Sequence, residues 1–169
     1  MIRYYLIIKY RLRNFFRYIV LFELSFLKPS KNKILVYDKK SLDYAEAIFP
    51  KHDFSFFNTR LQGLNIYVAV LTILKKGLKN FNSNYKKFYF NLVGPKIVYT
   101  SIDNTLAYYK LKNECYHDAI YISDQNGMRD NSFYLEAKKY LDNHKNSSLK
   151  CDIFFTFGNN EKKKTTRCH

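Results

Sequence analysis

Short runs of β-branched and aromatic residues recur along this chain, and most are followed by a stretch with helical spacing. "KILVYD" (33–38), "DFSFFN" (53–58), "KIVYTSID" (96–103), "AIYISDQ" (119–125) and "CDIFFTFG" (151–158) read as strands. Most are apolar at successive positions, so both faces of the sheet they form must be covered. Between the first two, Leu42, Ala45 and Ile48 recur at helical steps after Ser41, an expected N-cap. "LNIYVAVLTILKKGL" (64–78) is apolar on most sides and too long for a strand, which predicts a buried helix. "YKKFYFNLV" (85–93) predicts another, ended by Gly94-Pro95. Asn104 is expected to cap a helix whose Ala107, Tyr108, Leu111 and Cys115 share a face, and a last helix is expected over 132–143 from Ser132. Strands alternating with helices indicate an α/β fold, a Rossmann-like parallel β-sheet of about five strands with helices on both faces. The expected boundaries are a helical segment over 1–30, the α/β domain over 31–160 and a disordered or truncated tail over 161–169.

The first thirty residues follow a different rule. Met1, Tyr5, Ile8, Leu12, Phe15, Ile19 and Phe22 recur at steps of four and three, while Lys9, Arg13 and Arg17 step along the other side near Arg3 and Arg11. This is a basic amphipathic helix. Arg17 and Glu23 interrupt it too soon for a membrane span, and no small-residue cleavage site follows as in a signal peptide. Such a helix lies in the membrane interface, with Arg3, Lys9, Arg13 and Arg17 toward anionic headgroups. The alternative is a helix packed on its own domain or on a partner. The charge supports an electrostatic role: of a net +15, residues 1–33 contribute eight basic side chains against Glu23 alone. Lys28-Pro29-Ser30-Lys31-Asn32 then reads as a linker.

In open α/β sheets, ligands bind outside the carboxyl ends of the strands. Those ends here carry Asp38, Asn58-Thr59-Arg60, Ser101 with Asp103-Asn104, Asp124-Gln125-Asn126-Gly127, and Gly158-Asn159. The candidate ligand-binding residues are Asp103, Asn104, Gln125, Asn126, Gly127 and Arg129. Asn-Gly tolerates positive φ, glycine lets a ligand approach the backbone, and Arg129 would clamp an anionic or sugar group. A plainer reading makes Asn-Gly a common turn, has Gln125 satisfy loop amides and leaves Arg129 solvated.

Several chemistries lack their residues. "YDKKSLDYAE" (37–46) has no glycine, so a standard dinucleotide site is not expected, and there is no P-loop, GxSxG elbow or HExxH. No cofactor is expected. His52, His117, His144 and His169 are far apart, and Cys115, Cys151 and Cys168 form no CxxC pair, which predicts no metal site and reduced, packed thiols in a cytoplasmic setting. Most aromatic residues fall inside apolar runs, where core packing takes them, so no nucleic-acid partner is expected. The catalytic residue is left unassigned.

The order of elements, with "VYTSIDN" (98–104), "IYISDQNGMR" (120–129) and "CDIFFTFG" (151–158), resembles bacterial surface-carbohydrate biosynthesis proteins of the lipopolysaccharide and capsule type. These are transferase-like and related to GT-B glycosyl- and glycerophosphotransferases. The resemblance covers roughly residues 33–160 and centres on Gln125, Asn126, Gly127 and Arg129, with Asp103 and Asn104 after the preceding strand. It implies the acceptor-side N-terminal half of such an enzyme, truncated and inactive alone, with a glycan or lipid-linked acceptor as ligand. It also implies a separate C-terminal donor-binding domain, and a position peripheral to the inner face of the plasma membrane. The alternative is a noncatalytic membrane-associated Rossmann-like binding or scaffold domain.

Overall fold

The structure, a computed structural model, describes residues 23–50, 53–59, 63–125, 127, 131–144 and 148–156. In chain order its elements begin with β1 (Glu23–Ser25), β2 (Ile34–Tyr37), α1 (Leu42–Ile48), β3 (Phe54–Phe57) and β4 (Gly63–Asn65). Two helices follow, α2 (Ile66–Lys76) and α3 (Phe81–Val93). Then come β5 (Ile97–Thr100), α4 (Leu106–Glu114), β6 (Ile120–Asp124), α5 (Asn131–Asn143) and β7 (Ile153–Phe155). Five strands form one parallel sheet in the order β3-β2-β5-β6-β7. The fold is the expected α/β one, with helices on both faces.

Register divides the side chains between the two faces. Leu35, Val98 and Tyr121 lie side by side on one face, and α2, α3, α4 and α5 cover it with Val68, Phe90, Tyr108 and Ala137. Val36, Tyr99 and Ile122 lie on the other, where α1 sets Ala45 against Val36 and Tyr99. Among the described residues α1 is the one helix on that face, and toward β7 it stays open, with Ile120, Ile153 and Phe155 exposed. The main core is rich in tyrosine, whose hydroxyls reach backbone groups: Tyr108 Oη sits 2.8 Å from the Val98 carbonyl and 2.7 Å from that of Ile122. Tyr121 donates to the Tyr116 carbonyl at 2.8 Å. A ring in the core with its hydroxyl bonded avoids the cost of burying an unpaired polar group.

The structure corrects several expectations. Glu23–Ser25, expected as the end of the N-terminal helix, is an extended strand paired in parallel with β4. The preceding residues, including Arg3, Lys9, Arg13 and Arg17, lie outside the described ones, as does the tail over 161–169. The helix within 64–78 is not buried all round: Val70 and Leu74 are 50% and 79% exposed. Ser41 stands at the N-cap of α1 without capping it, because its hydroxyl is engaged elsewhere. Thr105 takes the N-cap position of α4 in place of Asn104, and α5 starts at Asn131, one residue early. Ala107 is exposed; the buried side of α4 carries Leu106, Tyr108, Tyr109 and Leu111.

Candidate ligand-binding site

The chain leaves β2 for one face through α1 and leaves β5 for the other through α4. Adjacent parallel strands whose connections diverge open a crevice between their carboxyl ends, so the crevice lies between β2 and β5. Ser41, Thr100 and Ser101, all buried, meet there. Thr100 Oγ1 donates to the Tyr37 carbonyl at 3.0 Å and accepts from the Ile102 amide at 3.0 Å. The Ser101 amide and hydroxyl both donate to Ser41 Oγ, at 2.9 and 3.0 Å.

At the lip of this crevice Asp38 has φ 83° and ψ 130°. A side chain in that region costs on the order of 1–3 kcal/mol and persists only when its neighbours hold it there. They do: the Asp38 carboxylate accepts from the Lys40 amide at 3.0 Å and from the Thr59 hydroxyl, and the Asp38 amide donates to the Phe57 carbonyl at 2.9 Å. The strain keeps a buried carboxylate between the ends of β2 and β3.

The next strand continues the rim. β5 and β6 are neighbours, with Thr100 opposite Ser123, so the Asp103 and Gln125 loops stand side by side as expected. Asp124 accepts the Tyr99 hydroxyl at 2.6 Å. Burial first, then the Asp124 carboxylate, push the Tyr99 phenol well above its ordinary value, so Tyr99 remains a donor at any physiological pH. Ser123 Oγ is buried and has no hydrogen-bond partner among the described residues, a cost of roughly 1–3 kcal/mol.

The six sequence candidates divide. Asp103 is buried and its carbonyl accepts from Tyr109 Oη at 3.1 Å. Asn104 is exposed and turns to a shallow cleft with Lys86, Lys110 and Glu136 along the helices. Gln125 is buried; its side-chain amide donates to the Gly127 carbonyl at 2.8 Å, which is the bracing that the plainer reading foresaw. Gly127 is exposed, and a Cβ there would meet nothing within 4 Å. Asn126 and Arg129 lie outside the described residues. Sequence reasoning noted Asp38 at a strand end, but missed Ser41 and Thr100 as site residues. The signal that selects them is strand order, which places β2 against β5.

At this rim Ser41, Thr100 and Ser101 are buried and bonded to one another and to backbone, while Asp124 is half-buried. Among the described residues no group of three or more His, Cys, Asp or Glu side chains is placed to hold a metal ion. No family model, curated protein or solved structure matches the chain.

Proposed function

We propose that the chain is the acceptor-binding half of a surface-carbohydrate transferase of GT-B type, taking a glycan or lipid-linked glycan at the rim formed by the ends of β2, β5 and β6. One observation carries the reading: Asp38, Ser41, Thr100, Ser101 and Asp124 gather at the carboxyl edge of a parallel sheet, around the crevice where its connections diverge. Donor binding and turnover belong to a second unit. The reading also holds the protein at the inner face of the plasma membrane as a peripheral protein. It is supported there by the basic surplus of residues 1–33, while no described helix is long and apolar enough to cross a bilayer.

The test is a titration of the full chain with short hexose and hexosamine oligosaccharides, followed through its backbone amide resonances. Shifts are expected in residues 38–41, 100–104 and 123–127, and Asp124→Asn is expected to weaken binding by about tenfold, the loss of a charged hydrogen bond. Shifts confined to other surfaces, or none, would sink the reading. Incubated with nucleotide-activated sugars and an acceptor, the same chain is expected to show no transfer. Measurable turnover would overturn the division of labour between two halves.

A further inference from the structure

α2 has an apolar stripe on each side. Val68, Ala69 and Thr72 face the core, while Tyr67, Val70 and Leu74 recur at steps of three and four on the opposite, solvent side. Just past the helix end at Gly77, Leu78 is 75% exposed. At the other end, Asn65 Nδ2 donates to the Leu27 carbonyl at 2.8 Å, fixing Leu27, 80% exposed, beside the start of α2. Helices apolar all round are normally covered on every side, and protruding aliphatic side chains of this number call for a partner.

Charge selects the partner. Between Asp53 and Asp103 the sequence holds no Asp or Glu, and the α2–α3 hairpin carries Lys75, Lys76, Lys79, Lys86 and Lys87. Residues 1–22 are equally free of acidic side chains and bear Arg3, Lys9, Arg11, Arg13 and Arg17. That segment, or a second copy of this hairpin, would bring like charge against like. Aliphatic side chains offer a nucleic acid no stacking surface. An anionic bilayer answers both features, with headgroups for the lysines and an acyl boundary for the stripe.

We propose that the α2–α3 hairpin is the surface by which the folded domain docks on anionic lipid, Val70, Leu74 and Leu78 entering the interface while Lys75 and Lys79 meet the headgroups. This rests on the membrane-peripheral reading above and moves the contact from the N-terminal segment alone onto the folded domain. The chain has no tryptophan, so Leu74→Trp in the full-length protein gives a single indole reporter. Its emission is expected to shift to the blue on vesicles of phosphatidylglycerol and phosphatidylcholine, and not on phosphatidylcholine alone. In vesicle sedimentation Leu74→Asp is expected to lower partition by about tenfold or more. Lys75→Ala and Lys79→Ala should each lower it about fivefold. All three positions are exposed, so circular dichroism should be unchanged. Vesicle binding that ignores Leu74→Asp, with no shift of the indole, would sink this surface and leave the N-terminal segment as the anchor. An indole already blue-shifted without vesicles would mean that protein covers the stripe, which also overturns the proposal. No binding to anionic vesicles at all would remove the membrane reading together with it.

Discussion

Raising the pH of the purified protein above about 9 is expected to unfold it in one cooperative step, the buried tyrosines ionising together with the loss of circular dichroism. Burial is the first cause in every case. It pushes the phenols of Tyr37, Tyr99, Tyr108 and Tyr121 far above their ordinary value of 10.0, and that of Tyr89 up to about 12. It also pushes the Cys115 thiol from 9.0 to about 11. Each raised value means that the fold favours the protonated form. Below pH 9 the folded and unfolded chains hold these protons equally, so stability is complete. Above it the unfolded chain releases protons that the folded one keeps, and stability falls as pH rises through 9 to 12. The slope is about 1.4 kcal/mol per pH unit for each proton retained. With several such groups, a total stability of roughly 5–15 kcal/mol is exhausted within a few pH units. Ionisation of Tyr37, Tyr99, Tyr108 or Tyr121, followed through its own ring resonances, near pH 10 in a protein still folded would refute the buried placement of that ring.

Phe90→Ala is expected to destabilise the protein by about 3–5 kcal/mol, the cost of an aromatic deletion in a closed core. Phe90 is fully buried, and its ring centroid lies 5.8 Å from that of Phe57, so α3 meets the edge strand β3 through this contact. Tyr108→Phe keeps the volume and removes only the hydroxyl poised between the Val98 and Ile122 carbonyls, so about 1–3 kcal/mol is expected. Leu74→Ala, on the exposed stripe of α2, should cost no more than about 0.5 kcal/mol. Urea denaturation of the three variants checks the order. A Leu74→Ala loss as large as that of Phe90→Ala would mean that α2 is packed on both sides.

The five main strands were legible because each concentrates β-branched and aromatic residues between polar breaks, and a parallel sheet follows from their apolar continuity. The pair β1–β4 was not. Glu23-Leu24-Ser25 is exposed at every position and Gly63-Leu64-Asn65 only partly buried, so neither carries a burial pattern a sequence could display. Leu64 and Asn65 instead look like the start of the helix that Asn65 caps. The exposure of α2 escaped notice because composition reports apolarity without saying which side meets the core. For the site, the polar strand ends were visible as types, and the adjacency of Asp103 to Gln125 held because β5 and β6 pair directly. The crevice went to β2 and β5 because position in the sheet depends on which way each crossover turns. Residue spacing does not encode that.

Asn65 has a consequence for the order in which the molecule assembles. Its side chain accepts from the Val68 amide and donates to Leu27 and Ser25, which lies 40 residues earlier. Closing a loop of that length carries an entropic toll that grows with the logarithm of its span, against the return of a three-residue ladder. Because that ladder is short and β1 is exposed at every position, the clasp shuts late and springs open at a fraction of the global unfolding free energy. The ladder, the Asn65 carboxamide and the Lys39–Glu23 ion pair together form the latch on β1, and the body of the sheet stays folded when it lets go.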